Sequence, residues 1–236
     1  MKTLIVVPTY NEKENIKILV SKIFLYHPPA DILFIDDNSP DHSATIIKEL
    51  QKTSSQIHLI ERPGKLGLGS AYLTGFKWGL ERDYDTFFEM DADLSHHPKY
   101  LPDFLNAIQT HDLVVGSRYI PGGGIENWNF FRRLLSKGGS YYSQKLLGLP
   151  YQDLTAGFKC FKSNVLKSLD LDKIKSEGYC FQIELTHKTH LKGFRIKEIP
   201  ILFSNRSFGK SKISKKIVLE AIWKVLFWGC SKRFRY

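Results

Sequence analysis

Long apolar runs are absent from this sequence, which limits where the protein can work. No stretch approaches the roughly 20 consecutive apolar residues that an α-helix needs to span a bilayer. The N-terminus begins with a short β-branched run, where a secretory signal would need a basic segment followed by a longer apolar run. We therefore expect a cytosolic protein.

Cysteine is scarce as well. The chain has three, Cys160, Cys180 and Cys230, an odd set without a C-x-x-C spacing. A disulfide framework needs paired cysteines, and a structural zinc site draws its ligands from closely spaced ones. The sequence therefore argues against both, and we expect reduced thiols.

Acidic residues are few near the C-terminus. The whole chain carries a formal charge of +10. Residues 206–236 contain one acidic residue, Glu220, and nine basic ones, so this segment holds a net +8 while the remainder is almost balanced. A localised basic surface indicates an anionic partner: nucleic acid, a phospholipid surface or a phosphorylated substrate. The nine basic residues are Arg206, Lys210, Lys212, Lys215, Lys216, Lys224, Lys232, Arg233 and Arg235.

Strands and helices alternate through the first half of the sequence. Short apolar or β-branched runs predict the strands, and apolar residues at a helical period predict the helices between them. The alternation predicts an α/β fold with a mainly parallel, twisted sheet, helices on both faces and the post-strand loops on one edge. The predicted strands are Lys2–Val7, Ile32–Ile35, Ile57–Ile60, Thr86–Met90 and Leu113–Gly116, and the predicted helices are Glu12–Leu25, a segment capped by Asp41 and ending at Leu50, one ending near Leu80, and Pro98–Ile108.

The pattern is less regular beyond the glycine-rich loop Pro121–Gly124. No repeat or break in composition divides the chain, so we predict one α/β domain over residues 1–212 and a basic amphipathic helix within residues 213–236. An ordinary packed helix and a membrane-surface helix both fit this last pattern, and the charge excess favours the membrane interface. The other predicted elements are helices at Phe130–Leu147, Phe181–Leu191 and Ile213–Trp228 and strands at Gly157–Phe161 and Arg195–Ile199.

Two carboxylates one residue apart follow the strand predicted at Thr86–Met90. A chain that turns between Asp91 and Asp93 can bring both side chains to one cation, and an open parallel sheet binds its ligands at this edge. The triplet is a weak signal by itself, because a solvated turn after a strand has the same composition. Polar residues also follow two other predicted strands, at Pro8–Glu12 and Asp36–Asp41.

Together these motifs resemble the family 2 glycosyltransferases, and within them the dolichol-phosphate (polyprenol-phosphate) mannose synthases. The resemblance covers nearly the whole chain and includes Gly116–Tyr119, Asp153–Phe158, Gly178–Glu184 and Asn205–Lys212. It implies a GT-A fold and an inverting, metal-dependent transfer of mannose from GDP-mannose to the phosphate of a polyprenyl or dolichyl phosphate. Related lipid-phosphate transferases share these motifs and use UDP-sugars such as UDP-glucose, so the donor stays open.

The resemblance also assigns roles around the donor. Asp91 and Asp93 would hold Mg²⁺ or Mn²⁺, and Ser95 stands where some relatives have a Gln that approaches the metal. A hard cation with oxygen ligands neutralises the diphosphate leaving group. The donor would contact Pro8, Tyr10, Glu12, Asp37, Asp91, Ala92 and Asp93, and its sugar would lie near Asp153 and Glu184.

An acceptor phosphate is already ionised near neutral pH, so this transfer needs positive charge to hold the anion in line and no strong general base. The family's phosphate-binding positions correspond to Arg118, Arg132, Arg133, Arg206 and Lys212. A guanidinium can grip two phosphate oxygens, which favours Arg118 and Arg206. These two arginines, with Asp91 and Asp93, form the predicted catalytic set.

Two features beside these motifs receive a structural interpretation. We expect the adjacent His96 and His97 to be solvated in a turn rather than to bind metal. The loop Gly64–Gly69 lacks the Gly-Lys-Ser/Thr order of a P-loop, so we interpret it as a loop that closely approaches the donor.

A lipid acceptor implies further partners. The terminal helix would dock peripherally on the cytosolic face of a membrane, where each cation near an anionic surface contributes about 1 kcal/mol. A small membrane-anchoring subunit is another implied partner. A non-catalytic protein that binds nucleic acid or another acidic surface is the competing class. The Asp clusters argue against it, because without bound metal they repel phosphate, and we predict no nucleic-acid partner.

Overall fold

The computed structural model describes residues 1–27, 29–126, 128, 130–204 and 215–231, without the side chains of residues 130–132 and 215–218. The described part of the chain forms the strands β1 (Thr3–Thr9), β2 (Asp31–Asp36), β3 (Ile57–Glu61), β4 (Thr86–Glu89), β5 (Leu113–Ser117), β6 (Gly124–Ile125), β7 (Lys159–Lys162), β8 (Ile196–Pro200) and β9 (Leu202–Phe203). Its α-helices are α1 (Lys13–Tyr26), α2 (Ser43–Gln51), α3 (Leu68–Leu80), α4 (Leu101–Ile108), α5 (Phe130–Leu147), α6 (Ser163–Ser168), α7 (Gly178–Leu191) and α8 (Lys215–Cys230).

Seven strands form one sheet in the order β3-β2-β1-β4-β7-β5-β8, and β6 pairs with β9 as a separate parallel ribbon. Strand β7 is antiparallel to both β4 and β5, whereas the other neighbours in the large sheet run parallel. The residues just before β7 therefore lie at the same edge as the carboxyl ends of the parallel strands. That edge collects the loops in which the sequence predicts the site.

Helices cover both faces of the sheet and explain why its strands are apolar throughout. In β1, Ile5 and Val7 point into a core shared with α1, α2 and α4, whereas Leu4 and Val6 point into a core shared with α3, α6 and α7. Successive strand residues face opposite sides, so a strand buried on both faces needs a continuous apolar run.

Helix α3 lies unusually close to the sheet because glycines face it. A Cβ atom at Gly75 would lie 2.4 Å from Cγ1 of Val6, and one at Gly79 would lie 2.4 Å from Cε1 of Phe87. Such distances are far shorter than a carbon–carbon contact, so these positions require glycine. The close packing brings Tyr72 of the same helix to the carboxyl end of β4.

Helix α8 packs against α5 and α7 through a third apolar cluster, which includes Leu154, Ile183, Val225 and Trp228. The hydroxyl of Tyr142 donates a hydrogen bond to the carbonyl oxygen of Ile222, which joins α5 to α8. Large apolar side chains stay exposed on the outer side of this helix pair: Leu134, Leu135, Tyr141, Leu219, Ile222, Trp223 and Phe227. Within the described ranges, no helix combines the length and the apolarity that crossing a membrane requires.

The predicted α/β fold with a mainly parallel sheet and a C-terminal helix is confirmed, with shifts at several boundaries. The predicted cap, Asp41, accepts a hydrogen bond from the N–H of Ser43, the first residue of α2, but the N-cap position itself is His42. The segment predicted as one helix from Pro98 begins with a 3₁₀ turn before α4. Helix α7 begins at Gly178, three residues before the predicted start at Phe181, and the sequence patterns missed α6, β6 and β9. The division at residue 212 stays a prediction.

Candidate active site

A cavity of about 500 Å³ opens at the edge of the sheet where the parallel strands end. Its wall includes the seven residues that the resemblance places in contact with the donor, together with Arg118, but neither Asp153 nor Glu184. Residues from β1, β2, β4, β5 and α7 or the loops beside them thus meet in one space. The donor-side residues in the wall are Pro8, Tyr10, Glu12, Asp37, Asp91, Ala92 and Asp93.

The turn after β4 holds Asp93 in a fixed orientation. Oδ1 of Asp93 accepts hydrogen bonds from the backbone N–H of Ser95 at 3.0 Å and from its hydroxyl at 2.6 Å. Leu94, between them, has the positive φ of 64° that lets the chain fold back. Ser95 is buried, and its hydroxyl orients Asp93; a direct contact from Ser95 to metal stays a prediction.

Asp91 is held by two neighbours from different parts of the chain. The hydroxyl of Tyr72 donates to Oδ1 of Asp91 at 3.3 Å, and the backbone N–H of Asp91 donates to Nδ1 of His96 at 3.0 Å. The Asp91 side chain is 31% exposed, so its carboxylate still faces the cavity. Two carboxylates therefore stand one residue apart, oriented before any ligand arrives.

The expectation of solvated histidines is wrong for His96. This residue is 2% exposed, its ring stacks on Phe158 with centroids 5.1 Å apart, and its edge meets Phe203. Because Nδ1 accepts a hydrogen bond, the neutral ring carries its proton on Nε2. His97 instead accepts a hydrogen bond from the N–H of Lys99 at the start of the 3₁₀ turn.

The carboxylates in the cavity wall fit a hard divalent cation that also binds the phosphates of a nucleotide. Among the residues that the structure describes, no group of three or more His, Cys, Asp or Glu side chains is arranged to hold a metal by itself. Mg²⁺ commonly binds through one or two carboxylates and completes its coordination with substrate phosphates and water. Asp91 and Asp93 provide such a partial set in the cavity wall.

The wall formed by β1 and its loop suits a nucleotide base and ribose. Nζ of Lys65 lies 4.8 Å from the centre of the Tyr10 ring. Oε2 of Glu12 accepts a hydrogen bond from the side-chain amide of Asn15 at 2.8 Å. An aromatic ring that can stack on a base and a carboxylate that can accept hydrogen bonds from hydroxyl or ring N–H groups thus line the same cavity.

Asp37 lines the cavity but already has a strong partner, Arg62, which the sequence patterns did not single out. Nε of Arg62 donates to Oδ1 of Asp37 at 2.5 Å, and Arg62 also donates to the hydroxyl of Ser70 and to the carbonyl oxygen of Gly67. Burial raises the pKa of Asp37, and Arg62 opposes that rise. The pair connects the loop after β2 to the start of α3, so Arg62 shapes the Gly64–Gly69 loop.

Glu177 lines the cavity and was also missed by the sequence patterns. Its carboxylate accepts hydrogen bonds from the backbone N–H groups of Gly69 at 2.8 Å and Ser70 at 3.2 Å, in the first turn of α3. Gly67 just before the helix has φ of 107°, and a Cβ there would lie 2.5 Å from Glu177. The contact explains why glycine occupies this position and attaches the loop to α7.

Arg118 lies in the cavity wall, and most of its guanidinium is occupied. Nε and Nη2 donate to the two carboxylate oxygens of Asp153 at 2.6 and 2.7 Å, and Nη2 also donates to the hydroxyl of Thr155 at 2.8 Å. Burial alone would lower the pKa of Arg118, but the charge of Asp153 and these bonds raise it. The guanidinium nitrogens predicted to bind phosphate therefore bind Asp153. Among the described contacts, Nη1 forms no hydrogen bond and can bind another anion.

Aromatic rings surround the rest of the Arg118 guanidinium. Its carbon lies 5.2 Å from the ring centre of Tyr119, 5.6 Å from that of Trp128 and 5.5 Å from that of Phe203. Phe203 belongs to β9, so the short ribbon helps to close the cavity on this side. Aromatic faces stabilise a cation electrostatically and also hold it in place.

The remaining predicted residues fall outside the cavity wall or outside the described residues. Asp153 contacts Arg118 but does not line the cavity. Glu184 accepts a hydrogen bond from the hydroxyl of Ser176 and forms an ion pair with Lys188. Arg133 is exposed on α5. The side chain of Arg132 and the whole of Arg206 and Lys212 lie outside the described residues, so their phosphate-binding roles stay predictions.

Two buried ionisable side chains lie under the site, where Glu89 of β4 is the cross-strand neighbour of Lys159 of β7. Burial raises the pKa of Glu89 to about 8 and lowers that of Lys159 to about 8, because each charged form loses its hydration. Nζ of Lys159 also donates to the backbone carbonyl oxygen of Gln182 at 2.7 Å. This bond ties α7 to β7 directly beneath the cavity.

Fold and site together define a GT-A type glycosyltransferase: a mainly parallel sheet with paired carboxylates after a central strand, beside a cavity of nucleotide-sugar size. The chain belongs to Glycosyl transferase family 2, whose sequence model matches residues 4–170. It is 43% identical over 234 residues to the undecaprenyl-phosphate mannosyltransferase of Micrococcus luteus, covering 99% of this chain and 96% of that one. It is 44% identical to the polyprenol monophosphomannose synthase of Mycolicibacterium smegmatis, covering 98% of this chain and 88% of that one.

Solved structures share the fold at much lower identity. Glucosyl-3-phosphoglycerate synthase from Mycobacterium tuberculosis, in complex with Mn²⁺, UDP-glucose and phosphoglyceric acid, superposes with a TM-score of 0.67 at 18% identity, covering 97% of this chain and 79% of that one. A mannosyltransferase from Pyrobaculum calidifontis in complex with GDP-Man and Mn²⁺ gives a TM-score of 0.59 at 14% identity, covering 97% and 72%. These similarities concern the fold.

Proposed function

We propose that this protein transfers mannose from GDP-mannose to the phosphate of a polyprenyl or dolichyl phosphate, with inversion at the anomeric carbon. The observation that carries the proposal is the charge separation within one cavity, where Asp91 and Asp93 stand on one side and Arg118 on the other. Near full-length similarity to two polyprenyl-phosphate mannosyltransferases supports the same choice of sugar and acceptor.

The chain's own residues would divide the work. Tyr10, Glu12 and Asp37 bind the nucleoside, and Asp91 and Asp93 hold Mg²⁺ or Mn²⁺, which would neutralise the departing diphosphate. Arg118, oriented by Asp153, attracts the acceptor phosphate through Nη1. Attack by the phosphate oxygen on the face opposite the leaving group gives inversion, and no residue has to remove a proton from it.

The lipid acceptor calls for attachment to a membrane, and the α5–α8 pair suits this role. Trp223 and Phe227, one helical turn apart on α8, are 68% and 64% exposed, and Leu134 and Leu135 are exposed on α5. The segment from Arg206 onward carries the net +8 that anionic headgroups attract. We propose peripheral docking on the cytosolic face, with a small membrane subunit as a further partner.

A donor panel tests the reaction. The purified chain is incubated with polyprenyl phosphate, Mg²⁺ or Mn²⁺, and radiolabelled GDP-mannose, other GDP-sugars or UDP-glucose. We expect GDP-mannose to give the most lipid-linked label, with an anomeric configuration opposite to that of the donor. Preferred transfer from UDP-glucose would replace the donor and keep the reaction class. Salt-sensitive retention on DNA with no sugar transfer would instead support the nucleic-acid-binding class.

Removal of two exposed aromatic side chains tests the membrane surface. For the double variant Trp223→Ser with Phe227→Ser, we expect binding to vesicles that contain anionic phospholipid to fall at least about tenfold, because each large apolar side chain contributes roughly 1.5–3 kcal/mol when buried. Vesicle co-sedimentation measures the change. Leu25→Ser, at a position 73% exposed on α1, is the matched control. An equal loss in that control, or no loss in the double variant, would contradict the proposed surface.

A further inference from the structure

Gln182 lies at the buried end of the cavity and has no assigned role. It is 2% exposed, yet it lines the cavity together with Gly157 and His96. A Cβ atom at Gly157 would lie 3.4 Å from Cε1 of His96 and 3.7 Å from Nε2 of Gln182, so the amide packs beside Gly157 in the cavity wall.

The Gln182 side chain interacts with the buried Glu89 carboxyl and opposes the rise that burial causes in the pKa of that group. Within the described part of the chain, no hydrogen bond of normal geometry reaches Nε2 or Oε1. Burying an amide without compensation costs roughly 1–3 kcal/mol, and most buried polar side chains avoid that cost. An amide in a cavity wall whose N–H donors and acceptor form no hydrogen bond of normal geometry is suited to pair with a ligand.

The backbone around Gln182 is firmly held, so the direction of the side chain is set by the fold. Its carbonyl oxygen accepts from Nζ of Lys159 at 2.7 Å and from the hydroxyl of Thr186 at 3.0 Å. The preceding Phe181 packs in the core beside α3, and the following Ile183 packs in the cluster with α8. With these two neighbours anchored in different cores, helix α7 presents Gln182 to the cavity.

Sheet order indicates which part of a donor reaches Gln182. The nucleoside-side residues follow β1 and β2, Asp91 and Asp93 follow β4, and Gly157 precedes β7 on the far side of β4. A nucleotide sugar that lies across these loops with its diphosphate at the carboxylates places its sugar toward β7. Gln182 and His96 are the buried polar side chains beside Gly157 there.

We infer that Gln182 hydrogen-bonds a hydroxyl group of the transferred hexose and is a specificity-determining residue of the donor site. The inference rests on the proposed function and gives Gln182 the sugar contact that the resemblance assigns to Glu184. Glu184 points instead to Ser176 and Lys188.

The test combines Gln182→Met, which keeps the length of the side chain and removes the amide, with GDP-mannose analogues that each lack one hydroxyl group. We expect Gln182→Met to lower kcat/KM for GDP-mannose about tenfold or more, because a buried hydroxyl group of the hexose loses its hydrogen-bond partner. GDP affinity, measured by calorimetry, and KM for polyprenyl phosphate should stay within about twofold, because the amide faces neither group.

The analogues separate a direct contact from a structural effect. With the native chain, one deoxy donor should lose about as much kcat/KM as Gln182→Met loses with GDP-mannose, and with that donor the variant should lose nothing further. Gln109→Met, in an exposed position just after α4, is the matched control and should behave as the native chain does.

Each alternative result is informative. Equal losses for Gln182→Met with every deoxy donor, or a loss confined to acceptor KM, would overturn the inference and leave the proposed function standing. Absence of sugar transfer by the native chain from any donor in the panel would overturn the proposed function and the inference with it. If Gln182→Met does not fold, Gln182→Asn withdraws the amide by one methylene and gives the same comparison.

Discussion

Asp91→Asn and Asp93→Asn should each lower the rate of sugar transfer at least about a thousandfold. An amide has nearly the same shape as a carboxylate but lacks the charge that holds a hard cation, and loss of that stabilisation removes several kcal/mol from the transition state. The measurement is transfer of label from the donor to polyprenyl phosphate, with metal titrated from micromolar to millimolar. Far-ultraviolet circular dichroism establishes that the variants fold.

Asp103→Asn is the matched control, because Asp103 lies exposed on α4 away from the cavity. It should keep native activity and the native metal requirement. Full activity of the native chain in excess EDTA would refute the assignment of Asp91 and Asp93 as metal ligands. Rescue of the Asn variants by high Mn²⁺ would support it, since the Asn oxygen still offers a weak ligand.

Asp153→Asn should destabilise the protein by about 3–5 kcal/mol. Arg118 and Asp153 are both buried and share two side-chain hydrogen bonds, so removing the carboxylate charge leaves a buried guanidinium without compensation. The free energy of unfolding is measured by urea denaturation at neutral pH. The same variant should use polyprenyl phosphate poorly, because Arg118 loses the group that orients it.

Two further variants show whether the uncompensated charge is the cause. Asp170→Asn removes a carboxylate from an exposed pair with Lys173 and should leave the free energy of unfolding almost unchanged. Adding Arg118→Met to Asp153→Asn removes both charges and should recover part of the lost stability. A double variant less stable than Asp153→Asn alone would mean that packing, and not charge, dominates at this site.

The sequence alone predicted that the residues assigned to the donor would meet at one edge of the sheet, and in the structure they line one cavity. Each donor motif follows a strand, and in a parallel sheet such positions come together whatever the details of packing. Pro8, Asp37 and Asp93 therefore meet in one wall although they are far apart in the chain. The alternation of strands and helices could also be predicted, because hydrophobic periodicity is a local property of the sequence.

The acceptor side depended on partners distant in sequence. Arg118 and Asp153 are 35 residues apart, and the sequence assigned them separate roles, phosphate binding and sugar binding. Their mutual pairing follows from antiparallel β7 lying between β4 and β5, which brings the loop that contains Asp153 against the end of β5. The burial of His96 against Phe158 has the same origin.

Helix α7 shows most clearly what sequence patterns alone do not predict. Residues Cys180–Thr189 are buried on nearly all sides except at Lys188, so no apolar stripe tells which face meets the cavity. The sequence assigned a site role to Glu184 and none to Gln182, whereas the anchoring of Phe181 and Ile183 in two different cores places Gln182 in the cavity wall. Local pattern thus determined the elements and the edge at which the site lies, whereas long-range packing decided which side chains face it.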